Sequence, residues 1–259
     1  MKKVVFITGA SQGIGKYCAI EFALRGYNLF LTGRNLQALN DLQKEISSLF
    51  NIQCVVSKLD VTNLEEWEAV KQTFFEKYDK LDILLLNAGV SNPIWFEQFD
   101  LQNFRDTYET NLFGVLNGFH TFLQYFLQKE SGTIAIVSSL ADSRGFVGSS
   151  SYTSSKIALS YIAESAAIEL AEKNIKVINI RPGFVRTNMT AKNQFKMPFI
   201  MNPDKAAKII VDGIEKDKSV VSFPLITSLL TKVIKITPRF LYEKMILAWK
   251  RKQKQQPKK

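Results

Sequence analysis

The chain has 259 residues and a mass of 29.4 kDa, enough for one large α/β domain with a substantial core. An apolar fraction of 46% and a mean hydropathy of −0.04 are typical of a globular protein and exclude extensive disorder. The net charge is +10, but from residue 226 onward ten lysines and arginines face one acid, Glu243. The preceding residues are nearly neutral, and no recognition motif is present, so we expect no nucleic-acid partner.

Cysteine and histidine usage excludes several kinds of site. Cys18 and Cys54 lie in apolar stretches without CxxC or Cys/His ligand spacing, which predicts free thiols in a reducing compartment. His120 is the single histidine, so we expect neither a histidine-based triad nor a metal site. The sequence shows no secretory signal and no apolar run of about 18 residues, which predicts a cytoplasmic protein without a spanning helix.

Short β-branched or aromatic runs alternate along the chain with longer segments of helical spacing. In chain order they predict strand 4–8, helix 14–25, strand 28–32, helix 36–49, strand 53–58, helix 64–78, strand 82–87, helical segment 101–127, strand 133–137, helical segment 152–172 and strand 176–180. This cadence indicates a Rossmann-type doubly wound parallel sheet with helices on both faces. Ligands of such sheets bind at the carboxyl ends of the strands.

A glycine-rich turn, residues 8–15 (TGASQGIG), joins the first strand to the first helix. Glycines let the backbone turn tightly and approach a pyrophosphate, which the positive end of the helix then favours. The residues expected to contact a dinucleotide here are Gly9, Ser11, Gln12, Gly13, Ile14 and Gly15. A plain structural turn is the alternative, and the position between strand and helix favours the cofactor site.

The end of the second strand predicts which dinucleotide is used. Enzymes that prefer NAD usually place an acid there for the ribose 2′-hydroxyl, but no Asp or Glu occurs between Glu21 and Asp41. Arg34 stands at this point and could hold a 2′-phosphate, which favours NADP over NAD; a solvated loop arginine is the alternative.

Two further strand ends complete the predicted cofactor site. Asp60 and Val61 follow the third strand and could hold the adenine ring. Asn87, Ala88 and Gly89 follow the fourth, where small residues allow the cofactor to pass close to the backbone. Either fragment alone could be ordinary turn chemistry.

Candidate catalytic residues follow the fifth strand. Ser139 closes that strand, and Tyr152 and Lys156 have the i, i+4 spacing that puts both side chains on one helical face. Reduction of a carbonyl by hydride produces an alkoxide that needs a proton, and a tyrosine could donate it. A lysine ammonium at about 4 Å supplies roughly 4 kcal/mol at an effective dielectric near 20, enough to lower a phenol pKa by about three units. Ser139 would hold the substrate oxygen.

These motifs resemble the short-chain dehydrogenase/reductase family, in its single-domain branch. The resemblance runs from Val4 to about Thr187 and includes the glycine turn, residues 87–89, Ser139 and the YxxxK motif at 152–156. It implies that Asn111 completes a catalytic tetrad by holding a water that relays protons to Lys156. It also implies that the nicotinamide half of the cofactor is contacted by Pro182, Gly183, Val185 and Thr187.

The resemblance also implies dimers or tetramers. One feature departs from the pattern: some NADP-using relatives carry a basic residue inside the glycine turn, where this chain has Gln12. The predicted preference for NADP therefore rests on Arg34.

Apolar loops are expected to surround the substrate. They comprise Ile94, Trp95, Phe96, Phe146, Val147, Phe184, Met189, Phe195, Met197, Phe199, Ile200 and Met201. They predict a hydrophobic ketone or alcohol in a pocket with adaptable methionine walls. The alternative is that much of this set is core or lid packing.

The C-terminal segment differs from the rest of the chain. We expect a catalytic domain at 1–225 and an amphipathic, basic extension at 226–259, with apolar residues at helical spacing on both sides of Pro238. One interpretation is peripheral contact with an anionic membrane surface. The other is a helical pair that covers the protein's own pocket or a subunit partner, followed by a solvated basic tail.

The predicted function is NADP-dependent reduction of a hydrophobic carbonyl compound, or oxidation of the corresponding alcohol. A different class of function is a non-catalytic NADP(H)-sensing regulator that acts through partners. A nucleotide-sugar epimerase or dehydratase would also use YxxxK, but it usually needs a larger C-terminal domain than the residues after Thr187 provide.

Overall fold

The computed structural model describes residues 2–193, 195 and 197–255. Its centre is a parallel sheet of seven strands: β1 (Val4–Ile7), β2 (Asn28–Gly33), β3 (Cys54–Lys58), β4 (Ile83–Leu86), β5 (Gly132–Val137), β6 (Ile175–Pro182) and β7 (Val220–Phe223). The strand order β3-β2-β1-β4-β5-β6-β7 confirms the predicted doubly wound α/β fold.

The described residues form ten α-helices, and those that contribute to the two core clusters pack on both faces of the sheet. The ten helices are α1 (Gly13–Leu24), α2 (Leu36–Leu49), α3 (Leu64–Lys77), α4 (Leu101–Tyr108), α5 (Gly114–Lys129), α6 (Ser150–Leu170), α7 (Asn188–Ala191), α8 (Pro203–Glu215), α9 (Leu225–Ile236) and α10 (Arg239–Gln255). A π-helical turn, Glu109–Phe113, joins α4 to α5. No helix in the described part of the chain has the length and apolar character needed to cross a membrane.

The core lies on both sides of the sheet because each strand alternates its side chains between the two faces. Val5 and Ile7 of β1 belong to the cluster beneath α1, α2 and α8, whereas Phe6 belongs to the opposite cluster. Phe6 packs against Phe30 and Trp67 with ring centroids 5.1 and 5.9 Å apart. These buried rings fix β1 and β2 at the centre of the fold, directly below the glycine turn.

Side chains mark where several helices begin. Asn35 caps α2 by accepting from the N–H of Ala38 at 3.0 Å, and Asn63 caps α3 by accepting from the N–H groups of Glu65 and Glu66. The first turn of α1 differs, because Gln12 at its N-cap makes no side-chain capping bond. The N–H groups at that end consequently have no side-chain cap.

Three of the helices and strands, α7, α8 and β7, were not among the predicted ones. The segment 203–215 forms α8, with Pro203 in its first turn and Ala206, Ile210 and Ile214 in the core. The segment 220–223 forms the edge strand β7, which pairs with β6. The two C-terminal helices α9 and α10 agree with the helical spacing predicted on either side of Pro238.

Candidate active site

A cleft of about 950 Å³ runs along the carboxyl ends of the strands. Most of the predicted site residues line it: Gly9, Ser11, Gln12, Gly13, Ile14, Arg34, Asp60, Val61, Asn87, Ala88, Gly89, Ser139, Tyr152, Lys156, Pro182, Gly183, Val185 and Thr187. Of the predicted catalytic and cofactor-binding residues, Gly15 and Asn111 do not line the cleft. Both are buried directly behind its wall.

The glycine turn has two distinct requirements. Gly9 and Gly13 adopt φ values of +65° and +58°, in the left-handed region that favours glycine. Gly15 instead allows close packing, since a Cβ there would overlap the carbonyl oxygen of Gly9 and the side-chain amide of Asn87. Gly15 therefore seats α1 against the sheet, and its predicted contact with the cofactor stays a prediction.

Thr8, which sequence reasoning left out of the site, ties the turn to the loop after β4. Its Oγ1 accepts from the N–H groups of Asn87 at 2.9 Å and Ala88 at 3.0 Å. The side-chain amide of Asn87 donates back to the Thr8 carbonyl at 2.9 Å. These bonds hold the ends of β1 and β4 together at the point where strand order reverses, which is where dinucleotides bind in this fold class.

The nucleotide end of the cleft fits an anionic ligand. The start of α1 lacks a side-chain cap and opens into the cleft, so its N–H groups can bind phosphate. Arg34 is exposed at the cleft mouth and has no carboxylate within ion-pair distance among the described residues. Asp60 Oδ1 accepts from both the N–H and the hydroxyl of Thr62, which fixes the loop after β3.

Tyr152 and Lys156 lie in the first two turns of α6 at the other end of the cleft. Lys156 is 3% exposed, and its Nζ donates to the carbonyl of Val137 at 2.8 Å. The Lys156 Nζ lies 5.8 Å from the centroid of the Tyr152 ring. Burial penalises the ammonium and lowers the pKa of Lys156 to about 8.

The pKa of Tyr152 shifts in the opposite direction from the one predicted. Burial raises it, the Ser139 hydroxyl lowers it, and the carboxylate of Asp142 raises it again. The ammonium of Lys156 is directed to the Val137 carbonyl, so it does not offset burial of the phenol. Tyr152 is therefore protonated at neutral pH, which suits a proton donor better than a base.

Asn111 lies in the π-helical turn and is completely buried. Its Oδ1 accepts from the N–H of Val90 at 2.7 Å, and its Nδ2 donates to the Val90 carbonyl at 3.0 Å and to Ser155 Oγ at 3.1 Å. A Cβ on Gly89 would lie only 3.2 Å from the Asn111 oxygen. The side chain thus holds the loop 87–90 against α6, and its implied role in a water-mediated proton relay stays a prediction.

Asp142 and Arg181 form a buried ion pair near Ser139 that the sequence did not predict. Arg181 Nε donates to Asp142 Oδ2 at 2.7 Å, and the hydroxyl of Ser160 donates to the same oxygen. The side chain of Asp142 is 3% exposed. The pair fixes the 3-10 turn, Leu140–Ser143, that follows the predicted catalytic serine. No spacing rule connects an acid at 142 with an arginine at 181, because only the pairing of β5 with β6 brings them together.

Replacement of Asp142 by asparagine is expected to destabilise the fold by about 1–3 kcal/mol, because the partly exposed guanidinium of Arg181 loses its counter-charge and hydrogen-bond acceptor. It also removes a charge that raises the Tyr152 pKa, so the acidic limb of alcohol oxidation should move to lower pH. Urea unfolding and a pH–rate profile measure the two effects. Ser160→Ala keeps the charge and is the matched control, with a smaller loss of stability and no shift of the profile.

The apolar residues predicted around the substrate separate into several groups. Phe146, Phe184, Met189 and Phe195 line the cleft. Ile94 is buried in the protein and Phe96 is exposed at 75%. Phe199, Ile200 and Met201 line a smaller, separate pocket. The C-terminal helices add Ile234, Tyr242 and Trp249 to the cleft wall, which confirms for this face the interpretation that they cover the protein's own pocket.

The side chains that could bind a metal ion are the next feature of the site. Within residues 2–193, 195 and 197–255, no group of three or more His, Cys, Asp or Glu side chains is placed to hold a metal ion. Cys18 and Cys54 are free and buried, and His120 lies exposed on α5.

The fold and the cleft define the Rossmann class of α/β proteins. The family model of the short chain dehydrogenase matches residues 3–197. An uncharacterized oxidoreductase of Myxococcus xanthus is 31% identical over 241 residues, which cover 93% of this chain and 95% of that protein. The chain belongs to the short-chain dehydrogenase/reductase family, a family of oxidoreductases.

Two solved structures that are similar to this chain contain different dinucleotides. An alcohol dehydrogenase from the archaeon Thermococcus sibiricus, complexed with 5-hydroxy-NADP, has a TM-score of 0.78 and 26% identity, covering 86% of this chain and 95% of the other. A 7α-hydroxysteroid dehydrogenase complexed with NADH and 7-oxo glycochenodeoxycholic acid has a TM-score of 0.79 and 28% identity, covering 85% and 92%. Similar proteins therefore bind either form of the dinucleotide.

Proposed function

We propose that this protein reduces a hydrophobic carbonyl compound with NADPH, the reverse reaction being oxidation of the corresponding alcohol. The observation that carries the proposal is one continuous cleft, with phosphate-binding groups at one end and Tyr152, Lys156 and Ser139 at the other. The apolar side chains around the second end favour a hydrophobic substrate over a sugar-like one.

The proposed cofactor site uses the chain's own groups in sequence along the cleft. The start of α1 would bind the pyrophosphate, Asp60 and Val61 would hold the adenine, and the small residues 87–89 would let the dinucleotide approach the backbone. Pro182, Gly183, Val185 and Thr187 would contact the nicotinamide half, and all of these residues line the cleft. The bound dinucleotide supplies the hydride, and the protein supplies binding, orientation and the proton.

The proposed proton chemistry follows from the two shifted groups. Tyr152 donates its proton to the oxygen of the carbonyl as the carbon accepts hydride, since its raised pKa keeps the phenol protonated. Ser139 hydrogen-bonds the same oxygen. Lys156 returns a proton towards Tyr152 because its pKa of about 8 allows exchange near neutrality. The buried Asn111 holds the loop 87–90 against α6, the helix that carries Tyr152 and Lys156. A water-mediated proton relay through Asn111 remains a prediction.

The similar 7α-hydroxysteroid dehydrogenase is complexed with 7-oxo glycochenodeoxycholic acid, which supports the hydrophobic class of compound for this chain. A panel of ketones of increasing chain length, assayed with NADPH, tests this class. The expected result is a kcat/KM that rises with chain length. Equal or better turnover of short polar aldoses would contradict the proposal.

Arg34 carries the proposed preference for NADP. Arg34→Asp is expected to raise the KM for NADPH by roughly 10–100-fold, because a phosphate grip is replaced by a repulsive carboxylate. The KM for NADH should stay the same or fall. Steady-state kinetics with both cofactors measure the effect, and Lys44→Asp, at an exposed position on α2, is the control. An equal change with both cofactors would show that Arg34 does not contact the 2′-phosphate.

The alternative of a non-catalytic regulator is not favoured, since the chain belongs to an oxidoreductase family and keeps the catalytic residue types. We further propose a homo-oligomer in the cytoplasm. Free buried cysteines are usual in reducing compartments. Tyr161 and Ile168, exposed on one face of α6, supply an apolar surface for a second copy. Light scattering would measure the assembly.

A further inference from the structure

Helix α9 turns a polar face towards the protein and an apolar face towards solvent. Thr227 and Thr231 face the cleft, and Ser228 is buried against the domain. The opposite face is apolar and exposed, reaching 71% at Leu225 and 81% at Ile236. A helix on the surface of a globular protein normally buries its apolar face. The outer face of α9 is therefore suited to a second apolar environment outside this domain.

The next helix continues the same surface. Tyr242 and Trp249 of α10 line the cleft on its inner side. The exposed large apolar side chains of the two helices are Leu225, Ile226, Leu229, Leu230, Val233, Ile236, Phe240, Leu241, Met245 and Leu247, which we call the outer apolar face. So many large exposed apolar side chains on two consecutive helices are uncommon on a monomeric protein and indicate an interaction surface.

Contacts with the catalytic domain hold the two helices in place. The Tyr242 hydroxyl donates to the carbonyl of Gly145 at 2.6 Å, and the Arg144 guanidinium lies 4.6 Å from the Tyr242 ring centroid. Arg144 also donates to the carbonyl of Lys235 at 3.2 Å. The Trp249 ring packs on Phe146 with centroids 4.9 Å apart. The outer apolar face thus belongs to an ordered element attached to the wall of the cleft.

The charge around this face indicates the kind of surface that it meets. From residue 226 onward the chain has ten lysines and arginines and a single acid. That acid, Glu243, pairs with Arg239 at 2.6 Å. Exposed Lys232, Lys235 and Lys244 accompany the outer apolar face. Two copies of this chain would bring like charges together, whereas an anionic lipid surface complements both the charge and the apolar side chains.

We propose that the outer apolar face of α9 and α10 docks on the surface of an anionic lipid bilayer, with the helices lying along the interface. The inner sides of the same helices form part of the cleft wall, so docking places the cleft beside the hydrocarbon. The delivery of a hydrophobic carbonyl from the bilayer to the cleft rests on the proposed function; the docking itself does not.

Co-sedimentation of the full chain with vesicles tests the docking. The vesicles are phosphatidylcholine alone or phosphatidylcholine mixed with phosphatidylglycerol, at low and high salt. The expected result is binding to the mixed vesicles that weakens with salt. Lys232→Gln/Lys235→Gln/Lys244→Gln should lower the partition coefficient on the order of a hundredfold. Leu229→Gln/Val233→Gln/Ile236→Gln should lower it by about tenfold or more.

A matched control removes three exposed leucines elsewhere, with Leu24→Gln/Leu49→Gln/Leu64→Gln. It should bind vesicles as the parent chain does. NADPH turnover of a water-soluble ketone should persist in all three variants, which separates failure of docking from failure of the proposed function. No binding to the mixed vesicles, or equal loss in the leucine control, overturns the proposal. A dimer in solution that only the outer-face variant dissociates, without vesicle binding, overturns it in favour of a second copy.

Discussion

Replacement of Tyr152 by phenylalanine is expected to lower kcat for ketone reduction by roughly 10²–10⁴-fold. The substitution removes one hydroxyl from a residue in the cleft wall, and with it the proton that the developing alkoxide must receive. Binding of NADPH should stay within about threefold of the parent value. Stopped-flow absorbance of NADPH with a saturating hydrophobic ketone measures the chemical step, and fluorescence titration measures the affinity for the cofactor.

Tyr161→Phe provides the matched control for this prediction. Tyr161 lies on the same helix, is 60% exposed and does not line the cleft, so kcat should stay at the parent value. Comparable loss in both variants would point to damage of α6. Full activity in Tyr152→Phe would remove the phenol from the mechanism.

Lys156→Met is expected to abolish most turnover and to stabilise the fold at neutral pH. Loss of the proton carrier should lower kcat on the order of 10²-fold. Burial has lowered the pKa of Lys156 to about 8 from its usual value near 10.5, so the folded state bears a penalty for the ammonium below pH 8. Removing that penalty, offset by the lost bond to Val137, should raise the free energy of unfolding by about 1–2 kcal/mol.

The stability difference between Lys156→Met and the parent protein should depend on pH in a defined direction. Between about pH 8 and 10.5 the unfolded chain binds the lysine proton more tightly than the folded chain, so the parent protein gains stability as pH rises. The advantage of Lys156→Met should therefore be greatest below pH 8 and shrink towards pH 10.5. Urea unfolding at several pH values measures it. The control is Lys44→Met, at an exposed lysine, with a change within about 0.5 kcal/mol at every pH. A constant difference would show that the buried ammonium carries no penalty.

Local patterns predicted the sheet well because its strands are short, apolar and bounded by turns. The glycine turn, Asn87 and Ser139 each follow a strand, and parallel pairing brings all strand ends to one edge. That geometry explains why most of the predicted cofactor residues line one cleft. The strand at 220–223 was not predicted because four residues give little periodicity. Helix α8 was also not predicted, but its apolar positions do recur at helical spacing and could have indicated it.

The features that sequence reasoning missed are the ones that depend on long-range contacts. Spacing places Tyr152 and Lys156 on one helical face, but the direction of the tyrosine pKa depends on what surrounds the phenol. Burial and Asp142 raise that pKa, and the ammonium of Lys156 is directed to Val137. The ion pair of Asp142 with Arg181 likewise forms between residues far apart in the chain. The C-terminal helices showed their amphipathic character in the sequence, but only the structure shows that threonines face inward and leucines outward.

The proposed reaction of this cleft is the transfer of hydride from nicotinamide to a hydrophobic carbonyl. Its most direct test uses NADPH deuterated at C4 of the nicotinamide, with each C4 epimer supplied in turn, and mass spectrometry of the alcohol formed from a long-chain ketone. We expect one epimer to label the carbinol carbon with a single deuterium, and Tyr152→Phe to form the same product far more slowly. An unlabelled alcohol from both epimers, or oxidation of NADPH without any alcohol, would contradict it.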